Sequence, residues 1–278
     1  MVGRLAGKVV FITGVARGQG RSHAIRCAEE GAEIIGVDIC EQMDSVGYPM
    51  STEADLAETV KYVEALDRKI VAGKADVRDR PAMERVFEAG LREFGHVDCV
   101  LANAGIMPVY GELAQDMRAW QDCLDVLLTG VLNTVEMACP HMVEQGTGGS
   151  IAITSSMAGL LPMMRTEGAH TLGLLGYSAA KAALVNLARN YASILAYHRI
   201  RVNTVHPTGV NTPMIQNDLI ADYFQNANPE DLKTLVNAIP VEAVEASDIS
   251  NTMVWLCSDE SRYFTGNAVR VDAGASLR

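Results

Sequence analysis

The chain has 278 residues, 49% of them apolar and 21% charged, which is enough to bury a substantial core and is not the composition of a disordered chain. With 34 acids against 23 bases the net charge is −11, spread along the sequence, and this speaks against nucleic acid and anionic membranes as partners. The six cysteines (Cys27, Cys40, Cys99, Cys123, Cys139, Cys257) show no CxxC spacing and sit mostly in apolar runs, so no structural disulfide and a reducing, cytoplasmic compartment are expected. Residues 1–7 carry no apolar signal stretch, and no run of about 18 apolar residues appears, so neither secretion nor membrane spanning is expected. The six histidines form no i,i+4 pair, and no metal site is expected.

Short apolar runs then alternate with helical patterns. Residues 9–13 read as a buried strand, 20–30 as a helix ended by Gly31, and 34–38 as a second strand. Ser51 opens a helix with Leu56, Val60, Val63 and Leu66 on one face, and 70–75 is a third strand. Residues 80–94 form a helix with Pro81 in its first turn, where its missing N–H costs nothing. A strand at 97–102, a long helix at 116–139, a strand at 151–155 and a helix at 176–197 follow. Residues 200–206 are a strand, Ser247 caps a helix to about Cys257, and 267–271 close the series. The alternation predicts one doubly wound α/β domain over 1–278, a parallel sheet covered on both faces. Two segments stand outside it, an insertion at about 39–50 and a stretch at about 213–240.

The first strand runs into Thr13-Gly14-Val15-Ala16-Arg17-Gly18-Gln19-Gly20 where a helix starts. Glycines there let the backbone turn sharply and approach a pyrophosphate, whose charge suits the helix N-terminus. Asp38 ends the second strand, where a carboxylate accepts from adenosine ribose hydroxyls and repels a 2′-phosphate, so NAD is expected over NADP. Arg17 pulls the other way. Asp76-Val77 and Asn103-Ala104-Gly105 end the third and fourth strands, and such ends gather ligands in doubly wound sheets.

Tyr177 and Lys181, four residues apart, share one face of a helix. A free tyrosine, with a pKa of ~10, is a poor base; a neighbouring ammonium lowers that value and yields a general acid/base. Ser156, ending the fifth strand, is the candidate holder of the substrate oxygen, with Ser155 as its competitor.

The glycine loop, Asn103-Ala104-Gly105, Ser156, the Tyr177/Lys181 pair and Val271-Asp272-Ala273-Gly274 resemble the short-chain dehydrogenase/reductase family over nearly the whole chain. The resemblance implies a seven-stranded Rossmann domain, hydride transfer at a hydroxyl or carbonyl, and a homotetramer. It also implies that Lys181 holds the nicotinamide ribose, and that Pro207, Val210 and Thr212 belong to a segment contacting the nicotinamide. Gly14 to His23, Val37-Asp38-Ile39-Cys40, the insertion and His206 to Met214 resemble more narrowly the carveol-dehydrogenase-like, mycofactocin-associated subgroup. That implies a nicotinoprotein, which holds NAD(H) between turnovers and passes electrons to a separate redox carrier. Ile39 is counted with the cofactor residues, and the insertion either folds over the cofactor or is a surface loop.

The chain departs from the family pattern at Leu127, where an asparagine usually links the lysine to solvent. Asn133 lies about 240° further round the helix and is no simple substitute. Ser156 and Tyr177 are 21 apart, a longer spacing than usual, and the excess at 162–175 lines the substrate site or is a plain loop. Met214, Ile215, Leu219, Ile220, Tyr223 and Phe224 recur at helical spacing, which fits either a lid over a hydrophobic secondary alcohol or ketone or ordinary packing. The leading expectation is an NAD-dependent dehydrogenase of such an alcohol. The alternatives are an NAD-binding protein with little catalysis, prompted by Leu127, and an NADP-linked carbonyl reductase, prompted by Arg17.

Overall fold

Apolar strands of this kind need cover on both faces, and the first strand shows how they obtain it. In the computed structural model, which describes residues 3–277, β1 (Val9–Thr13) is buried along its whole length. Val9 and Phe11 enter one core layer with Ile35, Met83 and Phe87, while Val10 and Ile12 enter the other with Ala24, Cys27 and Ile34. That is the two-residue period of a strand. Residues 1, 2 and 278 of the expected 1–278 domain lie outside the described residues.

The chain continues through α1 (Gly18–Glu29), β2 (Glu33–Asp38), α2 (Glu53–Glu64), β3 (Ile70–Lys74), α3 (Arg80–Phe94) and β4 (Cys99–Ala102). After α4 (Met117–Leu124) and α5 (Gly130–Gln145) come β5 (Gly149–Thr154), α6 (Leu172–Leu195), β6 (Ile200–Pro207) and β7 (Val210–Asn211). The rest is α7 (Asp218–Asn226), α8 (Pro229–Leu232), β8 (Val244–Glu245), α9 (Ala246–Cys257) and β9 (Ala268–Val271). Among the described residues, seven parallel strands form one sheet in the order β3-β2-β1-β4-β5-β6-β9, and β7 pairs with β8 outside it. One core layer holds α3, α5 and α6 and the other α1, α2 and α9, so the expected doubly wound Rossmann domain is what forms. The strand order reverses between β1 and β4, which opens a crevice at their carboxyl ends.

Several boundaries differ from the sequence reading, the helix starts for identifiable reasons. α6 starts at Leu172 rather than 176, because the Thr171 hydroxyl accepts from the Leu174 amide at 3.0 Å. Cap residues move the other starts similarly, with Thr52 and Glu245 in place of Ser51 and Ser247. The long helix expected at 116–139 is α4 and α5 joined by a π turn, Asp125–Thr129, and it runs through Pro140 to Gln145. Proline there removes one backbone bond without ending the helix. This stretch of 29 residues contains an 18-residue window of mean hydropathy 1.3, so by length and composition it is apolar enough to cross a membrane, although polar residues interrupt it and it is no continuous apolar run. Its apolar side is used on the core instead, 56% of the window being buried. All six cysteines are free and buried.

Candidate active site

The crevice between β1 and β4 is shaped first by glycine. Gly14 and Gly18 have φ of +72° and +54°, which other residues adopt with strain. A Cβ on Gly20 would lie 1.8 Å from the Gly14 carbonyl, and one on Gly14 2.8 Å from the Ala104 Cα. The chain is thereby drawn tight under the N-terminus of α1, whose first turn carries no acid to occupy its free N–H groups. Gln19 lines the cleft, and its buried Oε1 has no partner.

Asp38 closes β2 as a fixed carboxylate. One oxygen accepts from the Ala16 amide at 2.8 Å; the other accepts from the Ser51 hydroxyl at 2.6 Å and the Cys40 amide at 3.1 Å. Asn103 and Ala104 are tied to β1 by donating their amides to the Thr13 hydroxyl, both at 3.1 Å. Asp76 and Val77 stand on the same wall, and Asp76 is paired with Arg78 at 2.6 Å.

Residues 39–50 form a strap over this cleft. Arg17 donates to the Pro49 carbonyl at 2.6 Å, the Tyr48 hydroxyl accepts from the Met107 amide at 3.0 Å, and Ser45 donates to Asp122 at 2.6 Å. The Gln42 amide gathers the strap from within, donating to the Val46 carbonyl at 2.8 Å. Met43, Val46 and Tyr48 are buried. The guanidinium of Arg17, a candidate for meeting a phosphate, is thus engaged with the strap backbone.

The candidate catalytic residues adjoin the cleft through Lys181, whose Nζ would lie 4.0 Å from a Cβ on the wall residue Gly105. Ser156 lies beside the Tyr177 phenol, and Lys181 Nζ is 5.7 Å from the centre of the Tyr177 ring. Burial raises the Tyr177 pKa against the lowering effect of Ser156, and burial lowers that of Lys181 to about 8. The ammonium donates to the Thr154 carbonyl at 2.7 Å. Ser155 turns elsewhere, giving its hydroxyl proton to the Lys181 carbonyl at 2.9 Å. Leu127 is fully buried in the π turn against Gly105, so this side of Lys181 is apolar, and Asn133 donates to the Val77 carbonyl at 3.0 Å.

Gly14, Arg17, Gly18, Gln19, Gly20, Asp38, Ile39, Asp76, Val77, Asn103, Ala104, Gly105 and Thr212 therefore line one cleft, and Ser156, Tyr177 and Lys181 adjoin it. Pro207 ends β6, and buried Val210 packs in the core layer of α1 and α9; neither lines the cleft. Met43, Tyr48 and Met50 of the insertion and Met214 of the 213–240 stretch, which the sequence reading treated only as parts of those segments, line it too, as do Ser51, Ala75, Ile106, Val126 and Pro213, which it did not count with the cofactor. An aromatic amid a glycine- and proline-bearing insertion was the available signal for Tyr48; the others carry none.

In the 213–240 stretch, Tyr223 of α7 stacks on Tyr110 with centroids 3.8 Å apart. Asp231 accepts from the Arg165 and Thr166 amides at 3.0 and 2.9 Å, and Thr171 donates to the Val109 carbonyl at 3.0 Å. These bonds bring together the excess loop, the segment after β4 and residues 213–240 around a cavity of about 400 Å³.

A family model described as enoyl-(acyl carrier protein) reductase matches residues 14–276. The chain belongs to the short-chain dehydrogenase/reductase family. It is 52% identical over 270 residues, covering 97% of the chain and 96% of the relative, to an uncharacterized oxidoreductase of Mycobacterium tuberculosis. It is 43% identical over 284 residues to (−)-trans-carveol dehydrogenase of Rhodococcus erythropolis, with 99% of each covered. Among solved structures of the short-chain dehydrogenases, carveol dehydrogenase from Mycobacterium avium in complex with NAD superposes with a TM-score of 0.90 at 44% identity. That match covers 99% of this chain and 100% of the other.

Proposed function

We propose that the protein is an NAD-dependent oxidoreductase interconverting a hydrophobic secondary alcohol and its ketone, and that it retains NAD(H) under the 39–50 strap. The observation that carries the reading is the meeting, beside a glycine-cradled cleft, of Ser156, Tyr177 and Lys181. The unpartnered Gln19 oxygen, the Cβ-free floor at Gly14 and Gly20 and the fixed Asp38 carboxylate fit a dinucleotide. Asp38 also repels a 2′-phosphate, and Arg17 is turned to Pro49, so NAD fits better than NADP. Gly14 to Gly20 would hold the pyrophosphate, Asp38 and Ile39 the adenosine end, and Asn103 to Gly105 with Thr212 the nicotinamide end. Bound NAD supplies the two-electron hydride acceptor, and NADH the donor.

Ser156 then holds the substrate oxygen with its hydroxyl. Tyr177 takes that oxygen's proton in oxidation and returns it in reduction. Lys181 keeps a buried positive charge beside the phenol at neutral pH, fixed by the Thr154 carbonyl. Tyr110 and Tyr223, with the apolar residues of 213–240, exclude water and select an apolar substrate. An electron carrier of separate origin completes a cycle in which the nucleotide stays bound.

The test is to purify the protein without added nucleotide, denature it and identify what it releases by mass spectrometry. Near-stoichiometric NAD or NADH is expected. An empty protein would remove the retention reading, and NADP in its place would overturn the reading of Asp38.

A further inference from the structure

His206 adjoins the chemical residues without touching the cleft. It is fully buried on β6, with Nδ1 2.7 Å from the Ser156 carbonyl and Nε2 2.8 Å from the Thr204 hydroxyl. A carbonyl only accepts, so Nδ1 carries the ring proton and Nε2 accepts from Thr204. Burial lowers the His206 pKa; the Ser156 bond opposes this, and the Lys181 and Arg270 charges add to it. The ring is therefore neutral near pH 7 with both nitrogens satisfied.

The bond joins two strand ends that the proposed chemistry must keep in register. Ser156 follows β5 in an extended conformation (φ −164°, ψ 164°), and its own hydroxyl accepts from the Ala158 amide at 3.1 Å. His206 lies on the strand that leads, through Pro207, to the cleft residues Thr212 and Met214. The preceding residue is placed by two bonds of its own, from the Ser155 amide to the Val205 carbonyl at 2.8 Å and from the Ser155 hydroxyl to the Lys181 carbonyl. The Ser156 carbonyl accepts from two donors, the Gly159 amide at 3.0 Å and the imidazole. The first belongs to the same short turn and moves with it; the imidazole anchors that turn to another strand. With the imidazole removed, the turn that carries Ser156 can shift as a unit, and its hydroxyl loses its setting against Tyr177.

We infer that His206 is a positioning residue that, by holding the Ser156 carbonyl, sets where the Ser156 hydroxyl meets Tyr177 and the substrate oxygen. The inference rests on the proposed role of Ser156.

The experiment compares His206→Leu, which keeps the volume and loses the donor, with His206→Asn, whose amide places an N–H near the position of Nδ1. His206→Leu is expected to lower kcat by ~10–100-fold, the cost of misplacing a reacting group by about 1 Å, with NAD affinity unchanged. His206→Asn is expected to recover most of that loss. In a Ser156→Ala background, His206→Leu should cost nothing further. Full kcat in His206→Leu, or an equal loss in Leu and Asn variants accompanied by weakened NAD binding, overturns the inference. Ser156→Ala with wild-type activity overturns the reading of Ser156 itself, so the two failures are told apart. Where the variants do not fold, ¹⁵N NMR of the wild-type ring decides: an Nδ1–H tautomer supports the inference, and an Nε2–H tautomer overturns it.

Discussion

The two segments outside the α/β alternation are held in opposite ways. The 39–50 strap has a buried interior of Met43, Val46 and Tyr48, and its polar bonds run to the glycine loop, to the segment after β4 and to α4's Asp122. The 213–240 stretch buries little, with Phe224 50% and Ile239 59% exposed, and its firmest tie is Asp231 to the backbone of Arg165 and Thr166. Segments with few buried contacts open at low free-energy cost, whereas breaking buried polar bonds costs ~1–3 kcal/mol for each group left unpaired. The difference fits the proposed function, in which the cofactor side stays shut and the substrate side opens.

The largest expected effect is at the proposed acid/base. Tyr177→Phe should lower kcat by ~10²–10⁴-fold without loss of NAD, measured by steady-state assay and nucleotide content; substantial residual turnover would remove Tyr177 from the acid/base role. Next, Tyr48→Phe orphans the half-buried Met107 amide and should speed NAD release by ~5–100-fold, read by stopped-flow with a competing nucleotide. Asp231→Ala should instead raise the substrate KM by ~10-fold and leave NAD release unchanged; if it freed the cofactor as fast as Tyr48→Phe, the contrast between strap and lid would be false.

The pH profile sharpens the same contrast at the chemical end. Burial raises the Tyr177 pKa, so the phenol form dominates at neutral pH. Alcohol oxidation, which needs the phenolate, should rise with pH by up to ~10-fold per unit below that pKa, while ketone reduction stays flat through neutrality. The smallest effect belongs to Leu127→Asn. A buried amide should lower Tm, and a polar neighbour for Lys181 should raise kcat by ~2–10-fold.

Much of the fold and of the site is legible in the residues themselves because it rests on short-range rules. Continuous apolar strands demand a covered parallel sheet, the glycine spacing demands a tight turn under a helix, and Tyr177 and Lys181 share a helix face by period alone. Asp38 is legible from its place at a strand end, and the structure sets its carboxylate in the cleft wall, fixed by three donors. The caps at Thr171 and Thr52 are not, since a cap is decided by which hydroxyl reaches an orphan amide.

Only the tertiary structure decided the rest. It turned Arg17 from a candidate phosphate ligand into a latch on Pro49, gave Ser155 and Ser156 different partners, and placed His206 behind Ser156 from 50 residues away. It also showed that the apolar stretch Met117–Gln145 packs into the core. Residue type and spacing determine which element a segment becomes and which face is apolar, because those depend on neighbours a few positions off. The partner of a buried polar group depends on which distant strand end arrives beside it, and that is set only when the sheet closes.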